Sequence, residues 1–315
     1  MAFTSIATAG GWQTNTVTAA YDLLFRRALN ALPACRQFID VRPEQVTHKG
    51  SSVKLQKYAY FAQAAITAAK TPLGEETDVT GVQVPATTSV TLTPTEYGMG
   101  TVRTLKLANR SMVPLDPWIA EAVADHAAKT VDELLQDQMV TGTQVYRAAS
   151  RGSTGAVTAT DYLAAAQIRL GVTKLRANQA LTRDGEFYAG LLHPNVVHDL
   201  RQETGSGSWR VPNEYGADQG RIWRGEFGEF EGVRVVQNAR LRTATDGAAS
   251  ALVYRGFLLA REALAEAVVV EPHIEIGPII DTLSRFRPVG WYGDFDFKIF
   301  RDEAIVRFEA ASSAV

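Results

Sequence analysis

Apolar residues recur at helical spacing from Asp116 to Gly142, the longest such pattern in the chain. Ile119, Val123, Ala127, Val131, Leu135 and Met139 follow one another four residues apart, with Ala122 and Leu134 filling in. Glu121, Asp125, Lys129, Asp132, Glu133 and Asp137 take the other positions, which leaves one broad apolar stripe for a core. Asp116 reads as the N-cap, because a carboxylate accepts from the free N–H groups of a first helical turn. Pro117 suits the first helical position, and Gly142 reads as a left-handed C-cap. Such a helix is about 25 residues and about 37 Å long at 1.5 Å per residue. The mean helix has about 11–12 residues, so this one spans a domain rather than sitting inside it.

Before it, residues 1–15 are small and polar around a single Trp12 and read as a loose arm, with Trp12 as its anchor. Thr16 or Thr18 can open a helix whose apolar face is Tyr21, Leu24, Phe25, Ala28, Leu29 and Leu32, stopped by Pro33. Phe38 to Val41 and Ser52 to Phe61 read as strands. Thr71-Pro72-Leu73-Gly74-Glu75-Glu76 leads into a threonine- and valine-rich run from Val79 to Thr95, alternating at Val82, Val84, Val90 and Leu92. A strand from Thr101 to Ala108 follows, alternating at Val102, Leu105 and Leu107. Together these predict a long two-stranded β-excursion. A lone hairpin is marginal in water, so this one needs support, either from its own domain or from a neighbouring subunit.

After the long helix, Thr160 caps a predicted helix from Asp161 to about Arg176. Glu186 to His193 reads as a buried strand, and Pro194 opens a short helix to Gln202. Residues 203–220 are a glycine-rich loop. Strands are predicted at 232–236, 251–259, 268–280 and within 291–310. Composition shifts near 150 and 275, which implies an α+β chain with a central α/β insert between two halves of another unit.

Composition narrows the chemistry. With 315 residues, 46% hydrophobic and 21% charged, the chain has ample core material. A net charge of −2 supplies no basic field, so any nucleic-acid contact is local or weak. Cys35 alone rules out an internal disulfide framework and a cysteine metal cluster, and its neighbours Leu32, Pro33, Phe38 and Ile39 mark it as a buried small hydrophobe. No secretory pattern opens the chain and no run of 18 apolar residues occurs, so we expect no membrane span and synthesis in a reducing cytoplasm. The sequon Asn109-Arg110-Ser111 then reads as chance.

No catalytic constellation stands out. The chain has no P-loop, no H-E-x-x-H and no G-x-S-x-G elbow. His193 and His198 point about 140° apart on a helix of 3.6 residues per turn. Glu271, His273 and Glu275 would share one strand face and could hold a metal, but a solvated face is the favoured reading. No catalytic, cofactor or metal residue is therefore assigned.

Several local segments carry a resemblance. They are Leu192-His193-Pro194-Asn195-Val196-Val197-His198-Asp199-Leu200-Arg201, Gly225-Glu226-Phe227-Gly228-Glu229-Phe230-Glu231-Gly232-Val233-Arg234-Val235-Val236 and Tyr254-Arg255-Gly256. Pro278 to Asp281 and the closing Arg301-Asp302-Glu303-Ala304-Ile305-Val306-Arg307 complete the series. In this order the chain resembles major capsid proteins of tailed bacteriophages with the Hong Kong 97 (HK97-like) fold, and more closely the N4-like major capsid protein family. The resemblance implies an N-terminal arm and helix at 1–50 and strands with an extended loop at 51–110, its tip near 71–100. It further implies a peripheral-domain spine helix within 111–150, an axial domain at 151–272 and closing strands of the peripheral domain at 273–315.

The implied function is a shell subunit forming hexamers and pentamers around double-stranded DNA. Its implied partners are a separate scaffolding protein, a portal protein, and decoration or cement proteins. Trp12, Pro72, Leu73, Glu75, Glu76, Val82, Val84 and Tyr97 become inter-subunit contact candidates. Deleting residues 72–100 is expected to leave a foldable chain that cannot assemble. The competing readings are an encapsulin-like nanocompartment shell and a metal-dependent hydrolase built on Glu271, His273 and Glu275.

Overall fold

A computed structural model describes residues 35–43, 52–57, 65, 70, 81–112, 115–183, 185–204, 229–278, 281–283 and 285–314. In chain order the elements are β1 (Val53–Lys57), β2 (Thr88–Leu92), β3 (Thr95–Thr104), α1 (Leu105–Arg110), α2 (Leu115–Met139), β4 (Val145–Arg147), α3 (Ala165–Ala177), β5 (Tyr188–Leu192) and α4 (Pro194–Gln202). They continue with β6 (Glu229–Phe230), β7 (Val233–Gln237), β8 (Thr243–Ala244), β9 (Val253–Leu259), β10 (Leu264–Ile276), β11 (Phe286–Ile299) and β12 (Ile305–Ala310). The predicted helix at 16–32 lies outside the described residues.

Strict alternation along β11 buries Val289, Trp291, Phe295 and Phe297 on one face. That strand is the middle of a three-stranded antiparallel sheet, in the order β10-β11-β3. The spine helix α2 lies on this face, and its buried Val123, Ala127, Val131, Leu135 and Met139 join the same hydrophobic core. Thus the stripe read from the sequence is the one that packs. Three details differ. The helix begins at Leu115, so Asp116 falls inside its first turn instead of capping it. Ala122 is exposed, whereas Asp132, expected on the polar side, is 1% exposed. Gly142 does not have a positive φ, so it is not a left-handed cap. The helix closes instead through turns, with Thr141 N donating to Gln138 O at 3.0 Å and Gly142 N to Met139 O at 3.3 Å.

Among the described residues a second sheet has seven strands, in the order β4-β12-β9-β5-β7-β6, with β8 added against β9. Every residue of β5 is buried, which is why it reads as an apolar run without alternation. The β6–β7 hairpin turns through Glu231 (φ 52°) and Gly232 (φ 79°). A two-residue turn with both φ positive matches strand twist, and glycine takes that conformation without a Cβ clash. Helix α3 packs on β12 so closely that a Cβ on Gly171 would stand 2.7 Å from Phe308 Cζ. This helix begins four residues later than predicted, because Asp161 is engaged elsewhere. Its carboxylate accepts from Thr158 N at 2.7 Å and from both Nε and Nη2 of Arg151 at 2.7 and 3.0 Å.

Strand pairing divides the C-terminal residues between the sheets. Phe286–Ile299 closes the three-stranded sheet, while Ile305–Ala310 lies inside the seven-stranded one. The expected strand at 38–41 is a 3-10 turn, Arg36–Phe38, followed by a single parallel bridge from Val41 to Ala265.

The two-stranded β-excursion does not form from the strands expected, because β2 and β3 do not pair with each other. β1 pairs with β2 from Val53↔Leu92 to Lys57↔Thr88. β3 instead pairs with β11, and residues 105–110 form α1 rather than the end of a strand. Thr104 Oγ1 accepts from Leu107 N at 3.3 Å and so caps that helix, which a strand alternation of Leu105 and Leu107 could not foresee.

Candidate functional site

The root of the excursion is held firmly. Leu92 is fully buried with Ala265 and Ala267, and Val41, Val53, Leu55 and Phe300 pack around them as a small separate core. Polar contacts tie the same root to the rest of the fold. Lys57 Nζ meets Glu303 at 2.8 Å, Thr93 N donates to Asp296 Oδ2 at 2.8 Å, and Lys298 Nζ donates to Thr91 O at 2.7 Å. Residues 81–87, leading into β2, have no regular structure and are exposed apart from the half-buried Pro85. Val82 is 55% exposed there and Val84 76%. Among the described residues nothing covers these valines, and exposed apolar side chains on an anchored root are candidates for contact.

The other contact candidates fall in different places. Trp12, Pro72, Leu73, Glu75 and Glu76 lie outside the described residues. Tyr97 is half-buried within its own fold, its ring centroid 5.1 Å from that of Phe295.

The groups considered for chemistry do structural work. His193 N-caps α4 through Nδ1, which accepts from Asn195 N at 3.1 Å, while Nε2 lies 3.1 Å from Ala239 O as its donor. Burial holds the imidazole below its ordinary pKa, consistent with that neutral tautomer. Glu271 is engaged by Arg36 at 2.9 Å, and His273 Nδ1 lies 2.9 Å from the Glu271 carbonyl. Among the described residues no three His, Cys, Asp or Glu side chains converge as a metal site. Among the described helices none is long and apolar enough to cross a membrane.

Two buried polar clusters escaped the sequence reading. In the first, Asp132 accepts from Cys35 N at 3.1 Å and from Gln136 Nε2 at 2.9 Å, which ties the chain entering at residue 35 to the spine helix. Burial and the Asp132 carboxylate push the Cys35 thiol well above its ordinary pKa, so it is the inert, buried cysteine expected. In the second, fully buried Glu309 accepts from Arg147 Nε at 2.8 Å and Thr154 Oγ1 at 2.7 Å, with Arg307 Nε at 3.1 Å. Asp132 and Glu309 sit in polar-looking positions of their elements, and only tertiary packing encloses them.

A sequence profile of the family described as phage capsid protein matches residues 124–291, from the spine helix through most of the two sheets. The chain belongs to this phage capsid family. Solved structures agree on the fold. A chain of Mycobacterium phage Che8 superposes with a TM-score of 0.67 at 17% identity, covering 91% of this chain and 94% of that one. The capsid of Cyanophage P-SCSP1u gives 0.69 at 13%, covering 97% and 96%, and that of Cyanophage Pam1 gives 0.66 at 14%, covering 99% of each. The HK97-like α+β architecture expected from the sequence is therefore the observed one. No curated protein matches the chain. As a phage capsid protein it is a component of the virion.

Proposed function

We propose that this phage capsid protein is the major shell subunit, nearest the N4-like family, and that it closes into hexamers and pentamers around packaged double-stranded DNA. The observation that carries the reading is the excursion rooted by Leu92 and the Lys57–Glu303 pair, with Val82 and Val84 left exposed beyond it. In this arrangement the excursion lies over a neighbouring copy, and Pro72, Leu73, Glu75 and Glu76 near its tip make the contact. Trp12 anchors the arm on the same kind of surface. Obligate interfaces of this sort can exceed about 2,000 Å². Head-to-tail contacts that close under rotation give rings, so one such contact repeated builds the capsomer.

In this reading α2 and the three-stranded sheet serve as the peripheral domain, and the seven-stranded sheet with α3 and α4 serves as the axial one. A net charge of −2 keeps the contact with DNA weak. The chain is made in the host cytoplasm, and scaffolding, portal and decoration proteins complete its partners. Light scattering with negative-stain imaging of the purified chain tests this. Closed megadalton shells are expected, alone or on co-expression with a scaffolding protein. A chain that stays monomeric under both conditions overturns it. Shells holding a cargo enzyme instead of DNA would select the encapsulin-like reading.

A further inference from the structure

The root of the excursion meets the three-stranded sheet on the face of β11 that is turned away from α2. Alternation puts Tyr292, Asp294, Asp296 and Lys298 on that face. Thr93 N donates to Asp296 Oδ2 at 2.8 Å and Lys298 Nζ to Thr91 O at 2.7 Å. Leu92, between those two threonines, is fully buried beside Ala267, the cross-strand neighbour of Asp296. Pro94 follows, and β3 begins at Thr95.

Glu96, the second residue of β3, stands directly opposite Asp294 in the antiparallel register. Directly opposed positions bring Cβ atoms to about 4.5–5.5 Å, and like charges placed there repel. β3 is an edge strand, paired with β11 alone among the described residues, so the repulsion acts on the ladder that holds it. Asp294 Oδ1 is sealed from solvent and accepts no hydrogen bond from the described residues. Water cannot solvate a charge on such an atom, so the ionised form is costly. Glu96 in turn accepts from the Tyr292 O–H. The other neighbours supply no such proton. On the β10 side Asp294 faces the uncharged Val270. Glu271 of β10 is held by Arg36 at 2.9 Å, and the His273 ring stands edge-on to Tyr292 with centroids 6.0 Å apart. β2 has no titratable side chain, while on β1 Lys57 is held by Glu303 and Lys54 is exposed opposite Thr91.

We propose that Glu96 and Asp294 share one proton, and that this proton fastens the start of β3, and with it the root of the excursion, to β11. With the proton bound, the Asp294 O–H donates to the Glu96 carboxylate and the pair carries one negative charge. Without it, two carboxylates oppose each other and the sealed oxygen belongs to an anion. Burial first, and the Glu96 charge second, hold the Asp294 carboxyl above its ordinary 3.8. The folded chain therefore binds this proton more tightly than the unfolded one. The fastening is complete below about pH 4 and is lost as pH rises through the raised value. The excursion is thus tied down in weak acid and loosened at its base at neutral pH. The pair lies within one subunit, so the proposal does not depend on the shell reading.

Hydrogen exchange of the full chain, kept as dissociated subunits, tests this at pH 4.0 and pH 7.5. The readout is the protection of the amides of residues 96–98 relative to those of β9, which sits inside the other sheet and corrects for the intrinsic pH dependence of exchange. In the native chain this ratio is expected to fall about fivefold or more between the two pH values. Asp294→Asn and Glu96→Gln each remove one of the two charges, and each is expected to hold the change below about twofold. At pH 7.5 both variants should be protected at least as well as the native chain, whereas a merely structural loss would lower their protection at both pH values. A native ratio that does not fall overturns the proposal. A fall that survives in either variant, as it would if His273 were the titrating group, overturns it too.

Discussion

Replacing residues 58–87 with Asn-Gly separates the two tasks assigned to the excursion. Lys57 and Thr88 are directly paired, so a two-residue turn can join them without disturbing the β1–β2 register or the Lys57–Glu303 contact. The native connection between these paired residues is 30 residues long. Closing a loop costs about 0.6 kcal/mol more for each doubling of its length, and going from two residues to thirty is about four doublings. The shortened subunit should therefore be more stable than the native one by about 2 kcal/mol, yet unable to form shells. Urea unfolding of both chains, kept dissociated at one low concentration, measures the first effect. Light scattering under assembly conditions measures the second. Shells from the shortened chain would refute the role given to the loop. A subunit destabilised by 1 kcal/mol or more would show that residues 58–87 belong to the subunit's own core. The broader deletion of 72–100 is the wrong experiment, because it removes β2 and half of β3 and so breaks two ladders.

Other tests address the framework. Glu309→Ala removes the carboxylate that accepts from Arg147 Nε and lies 3.1 Å from Arg307 Nε, and should lower the unfolding free energy by about 3–5 kcal/mol in a urea titration. Glu309→Leu combined with Arg147→Met should recover most of that loss. Gly171→Val drives side-chain atoms into Phe308 Cζ and should cost about 1–3 kcal/mol, read as a lower thermal midpoint. Hydrogen bonds from Arg151 hold the Asp161 carboxyl at about 2, below its ordinary 3.8. Its contribution is therefore complete above about pH 4 and is lost as pH falls towards 2. It is on the order of 1 kcal/mol, and Asp161→Asn should flatten the stability profile in that window.

Where local chemistry is enough to fix an element, the sequence alone determined it. The apolar stripe of α2 is legible because every fourth residue must face one core. The start of α4 at Pro194 follows because proline's missing N–H costs nothing there. The arrangement of segments along the chain likewise carried the capsid resemblance. What the sequence could not determine was partnership between distant segments. Thr88–Leu92 alternates just as β3 does, yet one pairs with β1 and the other with β11, since alternation states which face is buried and not which strand lies alongside. Leu105 and Leu107, two apart, fit strand alternation, yet in the helix they fall on opposite sides, Leu107 buried and Leu105 exposed, and the hydroxyl of Thr104 caps that helix. Asp132 and Glu309 look solvent-facing until Cys35, Arg147 and Arg307 close over them from up to 162 residues away. Short-range preferences set the elements of this subunit, and tertiary packing set which of them meet, because the energy of those meetings resides in contacts between residues far apart in the chain.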